Sequence, residues 1–287
     1  MSYLFTDEWG TYYDMDRIIL PLEGFPAEIE ALEVALYLAE CSRAVVKLFH
    51  TEEHDERKEQ IFESLRDLAV EKAGRMRVRV EEEVCEDNPV DAILTRAEDH
   101  DLIIMGGKRR FREEIFGSVS SNVIRRAQRP VVIVTAPVDE WKIREEPIRR
   151  LLIPLRNVVE DRAAVKLAAT LTSSATVRDF EMAALHVLTL PQTTPISAYS
   201  ENMKEDERQF FKEVGELTRL IARPITPNVI VGRNVGRSIV SFAEEHRSDI
   251  IILGEREKPG PFTRLLGTEA LYVRRNAPCS VVLIYRP

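Results

Sequence analysis

Two glycine-containing segments have residue types that can hold an anion. In the first, Gly106 and Gly107 follow an apolar run, and Gly117-Ser118 opens a segment with helical periodicity. A glycine at a strand end lets backbone N–H groups approach a ligand closely, and a helix start offers unpaired N–H donors at the positive end of the helix dipole. Residues 108–112 between these glycines include a lysine and three arginines. The pattern predicts a loop that binds phosphate.

An alternative interpretation of this segment needs no ligand. The glycines then only permit tight turns, and Ser118 only caps a helix. The same unit occurs a second time, with Gly254 after an apolar run and Gly267-Thr268 before a helical segment. Repetition of the whole unit favours a function, but shared ancestry preserves turns as well. Both interpretations therefore stay open at the level of the sequence.

Motifs of common catalytic centres do not occur in the sequence. It contains no phosphate-binding P-loop, no G-x-S-x-G elbow and no H-E-x-x-H pair, and Cys41, Cys85 and Cys279 lack metal-ligand spacing. His50 and His186 follow equivalent apolar runs, and one histidine per copy predicts packing rather than metal ligation. A dedicated enzyme is therefore disfavoured, and slow ATP hydrolysis is kept as a lesser alternative without an assigned catalytic residue.

Length and composition predict two globular domains. The three cysteines, an odd number without a disulfide framework, fit a reducing cytoplasm. A chain of 287 residues exceeds the usual size of a single core, and 44% hydrophobic with 31% charged residues are ordinary globular values. The net charge of −8 argues against nucleic acid or an anionic membrane as a partner. The N-terminus has no basic segment followed by a long apolar run, so we expect neither export nor a membrane anchor.

The elements that position the glycines form a repeated strand–helix pattern. Short β-branched runs alternate with amphipathic segments, which is typical of a parallel sheet covered on both faces. In the first copy, the predicted strands are 17–21, 44–49, 77–84, 102–105 and 131–134, and the predicted helices are 27–40, 55–72, 89–99 and 118–127. In the second copy, the predicted strands are 151–154, 183–188, 228–231, 250–253 and 281–284, with a long helix over 205–222.

The repeat also predicts the domain boundaries. We expect an N-terminal arm over 1–16, a first domain over 17–135, a linker over 136–147 and a second domain over 148–287. The linker contains two prolines and a charge run but no regular pattern. The arm is rich in aromatic residues, which predicts that it packs on a domain or on a partner chain.

Both copies resemble the universal stress protein family. The family carries a Gly-x2-Gly-x9-Gly-[Ser/Thr] motif at this place, followed by a helix, a turn with an Ala-Pro pattern and a last strand. The segments 277–284 and 127–134 are similar to that turn and strand. The resemblance implies an α/β fold with two tandem doubly wound five-stranded parallel sheets, similar to the adenine nucleotide alpha hydrolases, in order 3-2-1-4-5. It also implies that the last strands of the two copies pair, which makes one chain an internal pseudo-dimer and leaves a further homodimer open.

Several residues depart from the family motif. Gly254 and Gly267 keep the family spacing, but Glu257 replaces the middle glycine of the second copy, whereas Gly106 and Gly117 enclose a loop two residues shorter. Family members that bind ATP carry an aspartate after the first strand. The matching positions are Glu23, which keeps a carboxylate, and a second-copy arginine, Arg156, which cannot bind a cation.

The resemblance implies a stress-response protein that binds an adenine nucleotide in the first domain, has a degenerate second site and acts through association with a protein whose identity is open. The ligand is ATP or AMP, with or without Mg²⁺. A scaffold or regulatory protein that binds partners and no nucleotide is the alternative, since the departures above favour it. The predicted ligand-binding residues are Leu22, Glu23, Met105, Gly106, Gly107, Lys108, Gly117, Ser118, Val119, Gly254, Gly267 and Thr268.

Overall fold

The computed structural model describes most of the chain. The described residues are 15–23, 27–51, 56–107, 117–137, 148–157, 160–173, 179–191, 193, 201–221, 223–255 and 267–285. Some predictions fall outside them, namely nearly all of the arm and of the linker, the basic segment with Lys108, and Glu257.

Strands and helices alternate in both halves of the chain. The first half contains β1 (Arg17–Leu22), α1 (Ala27–Ser42), β2 (Val45–Thr51), α2 (Glu56–Met76), β3 (Arg79–Cys85), α3 (Pro89–Ala97), β4 (Leu102–Gly106), α4 (Ser118–Arg126) and β5 (Val131–Thr135). The second half contains β6 (Arg150–Pro154), α5 (Arg162–Leu171), β7 (Glu181–Thr189), α6 (Glu201–Ile221), β8 (Ile225–Gly232), α7 (Val235–Glu245), β9 (Ile250–Glu255), α8 (Thr268–Asn276) and β10 (Ser280–Tyr285).

The strands form one sheet of ten, in the order β3-β2-β1-β4-β5-β10-β9-β6-β7-β8. Each half keeps the order 3-2-1-4-5 with parallel neighbours. The halves meet where β5 and β10 pair antiparallel, with Val134 opposite Val282. The predicted doubly wound order and the predicted pairing of the two last strands are therefore confirmed.

The element bounds differ from the prediction by a few residues. Helix α2 runs to Met76 instead of residue 72, and the long helix predicted over 205–222 is α6. Strand β8 begins three residues earlier than predicted and includes Pro227. A proline is tolerated there because β8 is an edge strand, so the missing N–H removes no ladder bond.

Helices cover both faces of the sheet. The helices α1, α2, α5 and α6 share one core cluster, and α3, α4, α7 and α8 share the other. Successive strand residues point to opposite faces, so Ile18 and Leu20 lie in the first cluster and Ile19 in the second. Each cluster contains residues from both halves, so the two copies share their cores.

A matching pair of aspartates fixes the start of the central strands in each half. Asp101 Oδ2 accepts backbone hydrogen bonds from Asp16 and Arg17, at 2.9 and 3.0 Å. Asp249 Oδ2 accepts equivalent bonds from the backbone of residues 149 and 150, at 3.0 and 2.8 Å. The first residue of the repeated apolar motif therefore aligns two adjacent strands.

Candidate functional site

The predicted site residues that the structure describes lie at the carboxyl edge of the sheet. In the first half, β1 pairs with both β2 and β4, and the chain reverses its direction across the sheet at this point. Ligands of open α/β sheets bind at such a switch point. Leu22 and Glu23 lie at the end of β1, Met105 and Gly106 end β4, and Ser118 begins α4.

Gly107 makes a close contact with β5. Its N–H donates to Val134 O at 2.7 Å, and a Cβ on this residue would lie 2.7 Å from Ile133 Cγ2. Glycine is therefore required by packing, and its N–H already has a partner in the sheet. The adjacent Lys108 lies outside the described residues.

The N-termini of α4 and α8 share one geometry. Gly117 and Gly267 are the N-cap residues, with φ/ψ of −60°/161° and −62°/161°, and neither has a side chain to accept the first helical N–H groups. By contrast, Asn88 caps α3 and Asn234 caps α7 through their side-chain oxygens. The unpaired donors of α4 and α8 are therefore available to an anion. Ser118 is the first helical residue, which corrects the alternative interpretation that it is the N-cap.

The second residue of each of these helices differs between the halves. It is Val119 in α4 and Glu269 in α8. Glu269 Oε2 accepts a hydrogen bond from Thr268 Oγ1 at 2.9 Å and lies 3.7 Å from the position that a Cβ on Gly267 would take. A carboxylate beside a helix N-terminus is stabilised by the helix dipole. The first half has no carboxylate at the equivalent position, where the residue is Val119.

A carboxylate that the sequence did not reveal holds the end of each central strand. The Glu28 Oε1 accepts the N–H of Glu23 at 2.6 Å, and Asp161 Oδ2 accepts the N–H of Arg156 at 2.7 Å. Both carboxylates belong to buried residues, with 1% and 2% of their surface exposed. They lie five residues beyond the position that was compared with the family aspartate.

A cavity of about 470 Å³ lies at the carboxyl edge of the second half. Its walls are mainly aliphatic side chains from β6, β7, α7, β9 and α8. Arg156 lies on its rim, where its guanidinium donates to Asp161 Oδ1 at 2.7 Å and to Gly254 O at 3.4 Å. The ion pair joins the end of β6 to the start of α5, and the bond to Gly254 O reaches β9. The positive charge of Arg156 is therefore compensated within the protein.

The model of the universal stress protein family matches residues 15–135 and 147–285. The chain belongs to the universal stress protein family. The double match covers the two halves that share the fold and the repeated glycine unit.

One sequence relative and two solved structures show which known proteins this universal stress protein is similar to. A universal stress protein of Methanocaldococcus jannaschii is 31% identical over 98 residues, which is 34% of this chain and 57% of that protein. A crystal structure of a universal stress protein from Archaeoglobus fulgidus covers 96% of this chain and 98% of its own, at 18% identity and a TM-score of 0.63. The crystal structure of the cytoplasmic domain of a prokaryotic cation chloride cotransporter covers 95% of this chain and 96% of its own, at 14% identity and a TM-score of 0.58. The two structures support the fold.

The two histidines occupy equivalent positions beside the strand ends. The Nδ1 atoms of His50 and His186 donate to the carbonyls of Leu22 and Leu155, at 3.0 and 2.9 Å, because a carbonyl only accepts. The His50 ring stacks on Phe62 with 4.5 Å between centroids, and the residue is 4% exposed. Its predicted packing role is confirmed. His186 additionally lines the second-half cavity.

Among the described residues, no group of three or more histidines, cysteines, aspartates or glutamates could hold a metal ion. No described helix is long and apolar enough to cross a membrane.

Proposed function

We propose that this universal stress protein binds an adenine nucleotide, ATP or AMP, in its first half, and that the nucleotide changes its association with another protein in the cytoplasm. The observation that carries the proposal is the N-terminus of α4. Gly117 leaves the first helical N–H groups without a side-chain cap, and Val119 puts no carboxylate beside them. A phosphate is the ligand that such a helix start prefers.

The neighbouring residues have suitable roles in this proposal. The phosphate accepts hydrogen bonds from the N–H groups of Ser118 and Val119 and from the Ser118 hydroxyl. The nucleoside lies across the ends of β1 and β4, against Leu22, Glu23 and Gly106. The Glu23 carboxylate supplies an oxygen ligand of the kind that Mg²⁺ prefers, when the nucleotide arrives with the metal. The basic segment after Gly107 adds positive charge by sequence.

The test is calorimetric titration of ATP and AMP, with and without Mg²⁺, into the wild-type protein and two matched variants. In Gly117→Asp, the new carboxylate accepts the helix N–H groups and repels phosphate. The space around a Cβ at Gly117 is open, φ is in an ordinary region, and aspartate is a favoured N-cap, so we expect this variant to fold. Gly267→Asp makes the same change in the second half and serves as the control.

We expect Gly117→Asp to weaken binding at least tenfold and Gly267→Asp to leave it within about twofold. Equal loss in both variants would place the nucleotide elsewhere. Absence of saturable binding at millimolar nucleotide would refute the proposal and support the second candidate function, a scaffold that binds proteins without a nucleotide. The second candidate is favoured by Glu269 and the Arg156–Asp161 ion pair, which make the second half unsuitable for phosphate.

A further inference from the structure

We infer that the second-half cavity is a separate ligand site that takes an uncharged ring compound without phosphate, of the nucleoside class. The two halves of the chain then divide ligands by charge, the first half taking phosphorylated and the second unphosphorylated compounds. The nucleoside class rests on the proposed function, because the second cavity lies at the position equivalent to the proposed nucleotide site. The exclusion of phosphate rests on the second half alone.

The size and lining of the cavity fit a small ring compound. A volume of about 470 Å³ lies within the range of small-molecule sites, roughly 300 to 1,000 Å³. Val187, Ile239 and Leu253 contribute apolar walls from β7, α7 and β9, and Leu155 adds one just after β6. Such walls bury the faces of a ring, and a few polar groups then fix its orientation.

The described charges around the cavity disfavour a phosphate. Of the described lining residues, Arg156, Asp161 and Glu269 carry the fixed charges, and their sum is negative. The guanidinium of Arg156 is compensated by Asp161 at 2.7 Å. The carboxylate of Glu269 lies beside the N-terminus of α8. A phosphate bound at this helix start would accept hydrogen bonds from the first helical N–H groups. A second anion at that place meets the like charge of Glu269 beside the uncapped helix start.

The polar groups that remain are acceptors for a ligand with hydroxyl or amino donors. His186 lines the cavity, and its Nδ1–H is bound to Leu155 O, so Nε2 is the accepting nitrogen of the neutral ring. The carboxylate of Glu269 also only accepts. An uncharged nucleoside supplies hydroxyl and amino donors and an apolar ring face.

The probes are adenosine and AMP, titrated into the Gly117→Asp protein, in which the phosphate position of the first-half site is blocked. We expect adenosine to bind at least tenfold more tightly than AMP. Glu269→Val installs the residue found at the equivalent position of α4, and we expect it to raise the ratio of AMP affinity to adenosine affinity on the order of tenfold, because it removes the charge that repels phosphate. Glu269 is exposed, so this variant should fold.

Ala270→Phe fills the cavity and locates the binding. Ala270 is half-buried and lines the cavity, and we expect its enlargement to abolish adenosine binding, with the circular dichroism spectrum confirming the fold. Adenosine binding that survives Ala270→Phe, or AMP binding that exceeds adenosine binding, overturns the inference. Should wild-type protein bind ATP while Gly117→Asp binds no adenosine, only the inference fails. If adenosine binds and is lost in Ala270→Phe while ATP never binds, only the proposed function fails.

Discussion

Val134 of β5 lies directly opposite Val282 of β10, and both side chains are fully buried. This antiparallel pair belongs to the contact that joins two otherwise parallel half-sheets. Both valines belong to the core cluster that α1, α2, α5 and α6 cover. Because the sheet and the cores continue across this contact, we expect the described halves to unfold as one cooperative unit.

The first prediction concerns Val282→Ala. Loss of the two buried methyl groups should lower the free energy of unfolding by about 2 kcal/mol, since the removed contacts are not replaced. Chemical denaturation followed by circular dichroism should give a single transition that moves to lower denaturant with an unchanged slope.

Val70→Ala is the control for that measurement. Val70 lies in α2 with 60% of its surface exposed, so the same chemical change should alter stability by less than about 0.5 kcal/mol. Two separate transitions in the Val282→Ala variant, one unchanged from wild type, would mean that the halves are thermodynamically independent.

The second prediction is a pH dependence caused by His100. The residue is 3% exposed, and its Nδ1–H donates to Arg96 O at 2.6 Å. Burial lowers the pKa of His100 below its usual value of 6.5; the Arg96 carbonyl opposes this shift, and the positive charges of Arg17 and Lys47 add to it. The unfolded chain therefore binds a proton at higher pH than the native protein does.

The contribution of His100 to stability is complete above about pH 6.5 and declines as pH falls toward its native pKa. In the wild-type protein this decline amounts to at most about 1.4 kcal/mol for each unit of difference between the native and unfolded pKa values. His100→Gln should remove it, because glutamine does not titrate. The measurement is urea denaturation of both proteins between pH 5 and pH 8. Parallel curves of stability against pH would contradict the prediction.

The third prediction concerns thiol reactivity. Burial raises the pKa of the Cys41 thiol to about 12, with a further contribution from the negative charge of Glu40 and opposition from Arg223. At pH 8, roughly one Cys41 in ten thousand is then a thiolate. We expect iodoacetamide to modify Cys41 at least tenfold more slowly than Cys85 in the native protein, as measured by peptide mass spectrometry.

Denaturant provides the control for thiol reactivity. In concentrated urea both cysteines are solvated, so their rates should become similar. Equal rates in the native protein would show that Cys41 is accessible and ionises normally.

The repeated apolar runs predicted two copies of alternating strands and helices, whereas the strand order and the pairing of the halves followed from the resemblance to the universal stress protein family. The motif from Asp101 to Gly106 and its repeat from Asp249 to Gly254 are visible without any three-dimensional information. The site depends instead on individual side chains that return to a strand end from the next helix. The roles of Glu28 and Asp161 were therefore missed, since an acidic residue five positions after a strand has no distinctive pattern.

The difference between the two candidate sites could not be predicted from the sequence either. The motif departures predicted a degenerate second site in which Arg156 cannot bind a cation. In the structure its charge is compensated by Asp161, and a cavity lies beside the pair. Sequence spacing identifies where a loop differs, but the volume next to it depends on how β6, β7 and α7 pack.

The last prediction concerns Glu28 as a positioning residue. Its carboxylate holds the N–H of Glu23 at 2.6 Å and thereby the end of β1, where the nucleoside is proposed to lie. Glu28→Ala should leave that N–H without its partner, lower stability by roughly 1.5–3 kcal/mol and weaken ATP binding about tenfold or more. Glu28→Gln keeps an accepting oxygen on the same arm, so it should restore most of the ATP affinity.

Asp161→Ala is the matched change in the second half, where Asp161 holds the N–H of Arg156 at 2.7 Å. It should cost similar stability but leave ATP affinity unchanged, because the proposed nucleotide does not contact β6. Calorimetry and denaturation on all three variants separate the two effects. A uniform fall in ATP affinity that tracks stability in every variant would mean that Glu28 contributes to folding alone, whereas a loss confined to Glu28→Ala and rescued by glutamine would assign it to the site.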